Sequence, residues 1–132
     1  MILVDTSIFI GYFKELKRTP YKKMDYIIDN EIPYGICFYV YQELLQGSAN
    51  EYEYKLLREY LNTLPFYDLL YGKESFENAA SMYMNCRKKG ITIRSTIDLI
   101  IAEIAIENDL YLFHDDNDFT NISKVHKSLK IY

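Results

Sequence analysis

The 132-residue chain has no tryptophan, only two cysteines and two histidines, and no excess of positive charge. Two cysteines cannot build a disulfide framework, and Cys37 and Cys86 lie far apart among apolar neighbours, with no zinc-ligand spacing. They read as buried free thiols of a reducing compartment. A net charge of -4 argues against a basic protein that grips nucleic acid by charge alone. It leaves room for an enzyme whose acids carry a cation, because a bound cation inverts the local field. No apolar stretch approaches the roughly 20 residues of a membrane span. The opening Met1-Ile2-Leu3-Val4-Asp5 lacks the basic start of a secretory signal, and Asp5 breaks its apolar run. The expected setting is the cytoplasm, with no membrane partner.

What is present is enough apolar material, 49%, to bury a core without disulfides or a structural metal. The 14 tyrosines offer base-stacking platforms in principle, but read first as core and surface filling. No repeat, low-complexity tract or linker divides the chain, so residues 1–132 are expected to form one domain.

Short apolar runs alternate with amphipathic stretches. Ile2 to Val4 reads as a strand, followed by a helix capped by Thr6 or Ser7 and running to about Leu16. Pro20 suits the first turn of a second helix, to about Asp29. Ile36 to Phe38 is a second strand, followed by a short helix that carries Glu43 and stops at Gly47. Asn50 to Asn62 is helical, and Pro65 to Leu70 forms a third strand. Lys73 to Lys89 is a helix with an apolar stripe of Phe76, Ala79, Ala80 and Tyr83, ended by Gly90. Ser95 caps a helix to about Asn108, and Leu110 to Phe113 is the fourth strand. After a polar segment, Leu129 to Tyr132 closes as a fifth. Strands separated by helices imply an α/β fold: three layers, α/β/α, around a parallel sheet of four to five strands.

In such sheets, sites form beyond the carboxyl ends of the strands. Asp5 ends the first strand, and Asp115, Asp116 and Asp118 follow the fourth, so both sets project to one edge. Asp98 sits in the first turn of its helix, where the dipole favours an acid. It shares a face with Ala102 and Ala105, away from the apolar Ile97, Ile100, Ile101 and Ile104. Glu43 alone would be an ordinary exposed glutamate, since surface carboxylates are the norm. Taken jointly, several carboxylates from separate elements meet the oxygen-ligand needs of Mg2+ or Mn2+, and they would repel one another without a cation.

These residues resemble the PIN-domain ribonucleases and, within them, the VapC-like toxins of type II toxin–antitoxin pairs. Ile2-Leu3-Val4-Asp5-Thr6-Ser7 resembles the family's first motif, and Glu43 with Leu44 and Gly47 the second. Asp98-Leu99-Ile100-Ile101-Ala102 resembles the third. Leu110 to Phe119, with its Asp116-Asn117-Asp118-Phe119 ending, resembles the fourth. The resemblance spans the chain, although Lys14 to Asn30 and the tyrosine-rich middle match no motif of the family. It implies a PIN-like fold, a divalent cation, hydrolysis of single-stranded or looped RNA, a homodimer, and an antitoxin protein that blocks the site.

On that reading Asp5, Asp98 and Asp116 hold the cation, with Asp116 the principal acid after the fourth strand and Asp118 a second metal ligand or an acid supporting one, and Glu43 is a ligand or orients a water. Asp115 is a turn residue. Ser7 and Arg94 are candidates for touching substrate, Ser7 also for orienting Asp5 or capping its helix. His114 and His126 are poor candidates for the base, since the metal already supplies the nucleophile. Positive charge for RNA would come from Lys14, Lys17, Arg18, Lys22 and Lys23, or from Arg87, Lys88, Lys89 and Arg94; solvated helix ends explain these clusters equally well. A haloacid-dehalogenase-type phosphatase needs an acid where Ser7 stands. A receiver domain needs an Asp ending a central strand, which Ile36-Cys37-Phe38-Tyr39 lacks. A housekeeping RNA-processing nuclease and a non-catalytic RNA- or protein-binding module are the remaining alternatives.

Overall fold

The computed structural model describes residues 1–15 and 17–132. Five short strands carry the apolar runs: β1 Ile2–Val4, β2 Tyr34–Cys37, β3 Phe66–Tyr67, β4 Tyr111–Phe113 and β5 Lys130–Ile131. Among the described residues, seven helices connect them: α1 Thr6–Phe13, α2 Thr19–Asp29, α3 Phe38–Gln46, α4 Glu51–Leu61, α5 Lys73–Lys88, α6 Thr96–Glu107 and α7 Asn117–Val125. All strand pairs are parallel, in the order β3-β2-β1-β4-β5. The chain steps outward from β1 to β3, then returns across β1 to build β4 and β5. Right-handed crossovers in opposite directions lay helices on opposite faces. The packing divides the same way: α1 contacts α2 and α3, and α3 contacts α4, whereas α5 contacts α6 and α7, and α6 contacts α7. The result is the expected three-layer α/β/α arrangement.

The core follows the strands. Leu3, Val4, Ile36 and Leu112 are fully buried, with Ile8, Met24 and Ile27 packed from the α1–α2 side. Each such side chain contributes roughly 1.5–3 kcal/mol relative to exposure. The α6 helix is the most enclosed: Leu99 through Ala105 are all buried. Its position against β4, α5 and α7 explains why its apolar residues occupy more than one face.

Several local expectations need correction. The N-cap of α1 is Asp5, whose side chain accepts the Ser7 N–H, rather than Thr6 or Ser7. The helix ends at Phe13; the end expected near Leu16 lies outside the described residues. Phe38 opens α3 instead of closing β2, and β3 is only two residues long. Gly47 caps α3 in a right-handed conformation, whereas Gly90 takes the left-handed one, φ 77°, that glycine suits best. There the Ile91 N–H bonds to the Cys86 carbonyl and the Gly90 N–H to the Arg87 carbonyl, closing α5 with a Schellman motif. The α5 stripe is Ser75, Ala79, Met82 and Cys86; Phe76 is half-exposed. Most of the segment after β4 forms α7.

Where α5 meets α6, Glu103 is buried beside Glu107 and Asn78. Glu107 Oε2 accepts the Leu70 N–H at 2.8 Å, and its Oε1 is buried without a donor. A proton held on Glu103 would supply that donor. Burial, then the bond to Glu107, raises the Glu103 pKa above its ordinary 4.5. A raised acid pKa means the folded state binds the extra proton, so its stability falls as pH climbs above 4.5. Glu103→Gln keeps the shape and carries its own donor. Its melting temperature is expected to exceed that of the wild type at pH 8 and to match it near pH 4. A variant destabilised equally at both pH values would show that the shared proton is not the controlling feature.

Candidate metal centre

Parallel pairing brings the carboxyl ends of β1 and β4 together. The ladder continues past β1, with the Asp5 N–H donating to the Phe113 carbonyl at 2.9 Å. Asp5 therefore lies beside the turn that carries His114, Asp115 and Asp116. β1 is also where the sheet order reverses, with β2 on one side and β4 on the other. Crevices of doubly wound sheets open at such a point.

Among the described residues, one trio of possible ligands converges: Asp98, Asp116 and Asp118 each place a carboxylate oxygen within 4.8 Å of the other two. Asp98 comes from the first turn of α6, Asp116 is the N-cap of α7, and Asp118 lies in the first turn of α7. Asp5 and Glu43 complete the cluster electrostatically. The Asp98 pKa is pushed up to about 7, first by burial, then by the charges of Asp5, Asp116, Asp118 and Glu43. Asp5, only 6% exposed, is raised by burial and by Asp116, while its bonds from Ser7 pull the other way. Glu43 is raised by desolvation and by Asp5, opposed by the Thr6 hydroxyl. The Thr6 Oγ1 is buried but makes no hydrogen bond of normal geometry.

Five crowded acids without a counter-charge are costly, and among the described residues one ion pair relieves them. Arg94 Nε lies 3.6 Å from Asp118 Oδ2, its side chain 78% exposed, and the Arg94 N–H reaches the same oxygen at 3.3 Å. A divalent cation fits the donor set. Oxygens bound to one Mg2+ at about 2.1 Å stand roughly 3 Å apart when adjacent and roughly 4.2 Å when opposite, so three oxygens mutually within 4.8 Å draw closer to share one ion. The ligands are hard oxygens, and the buried Cys37 and Cys86 stay out of the cluster.

The other candidates take definite places. Ser7 Oγ donates to Asp5 Oδ2 at 2.6 Å and accepts the Asp115 N–H at 2.9 Å, so both its bonds are internal. Asp115 turns away from the trio: its carboxylate accepts from Arg18 and from the Tyr21 hydroxyl. It is a cross-element anchor rather than a residue bonding its own turn. His114 Nδ1 accepts the Asp116 N–H at 3.1 Å, and burial lowers its pKa, so it orders the turn as a neutral ring. His126 caps α7 with its Nε2 buried and unpartnered. Of the basic clusters, Arg18 is spent on Asp115, Lys23 lies over the Tyr132 ring, and Arg87, Lys88 and Lys89 remain exposed at the end of α5. Arg18 and Tyr21 belong to the stretch that matched no motif. The only hint in the sequence is the Tyr21, Met24, Ile27 stripe that faces α2 inward.

Comparison with known proteins agrees with this geometry. The family profile described as PIN domain matches residues 2–125. Ribonuclease VapC11 of Mycobacterium tuberculosis H37Rv is 29% identical over 126 residues, covering 95% of this chain and 93% of that protein. VapC ribonuclease Mb1587 of Mycobacterium bovis matches with the same figures. Among solved structures, VapBC2 from Rickettsia felis, bound to a DNA fragment from their promoter, gives a TM-score of 0.71 at 20% identity, covering 100% of this chain and 98% of that chain. VapBC-1 from nontypeable Haemophilus influenzae gives 0.70 at 21% identity, covering 100% and 97%. At these identities the structural likeness concerns the fold.

Proposed function

The chain belongs to the PIN domain family, and we propose that it is a metal-dependent endoribonuclease, the toxin half of a toxin–antitoxin pair, with residues 1–132 working as one domain. The observation that carries the reading is the convergence of Asp98, Asp116 and Asp118, with Asp5 and Glu43 in electrostatic contact, at the crevice beside β1. The ribonuclease names of the mycobacterial relatives support RNA as substrate.

On this reading Asp5, Asp98, Asp116 and Asp118 hold Mg2+ or Mn2+. When bound, the cation supplies a Lewis acid for the scissile phosphate and an acidified water as nucleophile. Glu43, on α3 across the cleft, orients that water. Ser7 holds the Asp5 carboxylate, and Arg94 restrains Asp118 while its exposed guanidinium meets the RNA backbone. The expected setting is the cytoplasm, in keeping with two free buried cysteines. Among the described residues no helix is long and apolar enough to cross a membrane.

Two partners are part of the proposal. An antitoxin covers the cleft, seated in a groove of about 650 Å³ walled by Ile10, Phe13, Leu44, Leu56 and Leu57, with Glu43 in its lining. A second copy of the chain is the other partner, for which the half-exposed Leu70, Tyr71 and Phe76 offer apolar surface.

Incubation of the purified chain with total RNA, in Mg2+, Mn2+ or EDTA, followed by mapping of cut ends, tests the activity. Cleavage should require the cation. The cation should also raise thermal stability at neutral pH, by about 2.7 kcal/mol at a hundredfold excess over its dissociation constant. A folded chain that binds the metal yet cuts no RNA would point to a binding module. Expression alone should slow a bacterial host, and the product of the neighbouring gene should relieve it; harmless expression of active enzyme would favour a housekeeping nuclease.

A further inference from the structure

We propose that Tyr21, with the exposed Arg18 as a minor support, is a positioning residue for the carboxylate site, acting through Asp115 and Ser7 to hold Asp5 and the Asp116 turn in register. The inference rests on the metal-site reading above. The chain of bonds is continuous. The Tyr21 hydroxyl donates to Asp115 Oδ2 at 2.8 Å, and Arg18 grips both oxygens of the same carboxylate, at 2.8 and 3.2 Å. With its side chain anchored on α2, Asp115 presents its backbone N–H to Ser7 Oγ at 2.9 Å. That oxygen is then an acceptor on one side, and its own proton is directed to Asp5 Oδ2 at 2.6 Å. The Ser7 N–H reaches the same Oδ2 at 3.0 Å. Two donors on one oxygen fix the plane of a carboxylate that is only 6% exposed. The residue after Asp115 is Asp116, so the same anchor sets the start of α7.

Tyr21 has a seat made for it. Its ring lies against the backbone of α1 at Gly11, where an added Cβ would collide with Tyr21 Cε1 and Cζ. Glycine inside a helix weakens it, and the ring that Gly11 admits explains its presence. Tyr21 is 5% exposed and its bond to Asp115 is partly buried, whereas the Arg18 side chain is 63% exposed. The tyrosine hydroxyl is therefore the stronger member of the clamp. A clamp that merely fastened α2 would have no need to end on Ser7 and Asp5.

Titration calorimetry of Mn2+ into the metal-free full chain, together with kcat and KM on an RNA substrate, tests the proposal. Tyr21→Phe removes one hydroxyl and leaves the ring on Gly11. It should weaken Mn2+ binding about tenfold, the low end for outer partners of metal ligands, and lower kcat with KM for RNA unchanged. Asp115→Ala should do the same, and Asp115→Asn, which keeps an acceptor for the Tyr21 hydroxyl, should restore most of the affinity. The double variant Tyr21→Phe with Asp115→Ala should be no worse than Asp115→Ala alone, because both cut one chain. If Asp115→Ala does not fold, Tyr21→Phe decides. Unchanged Mn2+ affinity in these variants, with or without a lower melting temperature, overturns the positioning role while the metal-site reading stands. A wild-type chain that binds no Mn2+ overturns both.

Discussion

Asp98→Asn is expected to abolish RNA cleavage, by a thousandfold or more, while making the metal-free protein more stable at pH 8. On the proposed reading, the first effect follows from losing one charge of the converging trio. Removing a single preorganised electrostatic partner of a transition state already lowers rates on the order of a hundred- to a thousandfold. The second follows from the crowding. Burial and four neighbouring acids raise the Asp98 pKa to about 7 from an ordinary 3.8. Below pH 3.8 the folded and unfolded chains are both protonated there. Between 3.8 and 7 the unfolded chain ionises freely while the folded one holds its proton, so stability drains away across that window and is flat above it. A shift of that size corresponds to about 4 kcal/mol. Solvent in the open cleft screens this to roughly 2 kcal/mol, or about 5–10 °C in melting temperature for a chain of this size. Asparagine carries no charge at any of these pH values, so the variant should melt above the wild type at pH 8 and level with it near pH 4. Added Mn2+ should reverse the order by stabilising only the wild type. Cleavage at a near wild-type rate, or a melting temperature that falls with the substitution at every pH, would remove Asp98 from the site.

The parts of the molecule that were legible in the sequence are those governed by local pattern. β1 and β4 are apolar runs closed by acids, and the parallel sheet follows from the helices between strands. That pattern also aims Asp5 and Asp116 at one edge. The helix α7 was harder to see because Asn117, Asp118, Thr120, Asn121 and Ser123 are weak helix formers. It is held by the Asp116 cap and by Phe119 and Ile122, which are buried against the core. The buried stripe of α5 departs from its apolar sequence pattern because a serine lies in it. Ser75 is fully buried, its hydroxyl accepting the Tyr71 N–H at 3.1 Å, while Phe76 stands in solvent. A polar residue satisfied by a neighbouring loop looks like surface until the loop is placed. Asp115 looks like a turn residue in the sequence for a related reason. Its partners are 94 and 97 residues away in sequence, and no spacing rule joins α2 to the end of β4.

The same geometry ranks the three acids after β4, and asparagine variants should order cleavage as Asp116 worst, Asp118 intermediate and Asp115 nearly normal. Asp116 and Asp118 both belong to the converging trio, but they are engaged differently. Asp116 Oδ1 accepts the Asp118 N–H at 2.9 Å as the cap of α7, a bond the asparagine Oδ1 can also accept. Asp116→Asn should therefore leave α7 folded and remove only charge, so the whole loss registers in the chemistry. Asp118 Oδ2 is shared with the Arg94 N–H and guanidinium, which already draws on its charge. Losing that charge frees Arg94 and lowers the repulsion on Asp98, two changes that partly offset the loss of a ligand. Asp115 points away, and its asparagine keeps one acceptor for Tyr21, giving up only the exposed Arg18 pair, worth about 0–1 kcal/mol. Metal titration of the three variants should follow the same order as cleavage. An Asp115→Asn protein as inactive as Asp98→Asn would mean that its carboxylate leaves the clamp to join the cation. Equal losses for Asp116→Asn and Asp118→Asn would mean that the Arg94 pair opens when the metal binds.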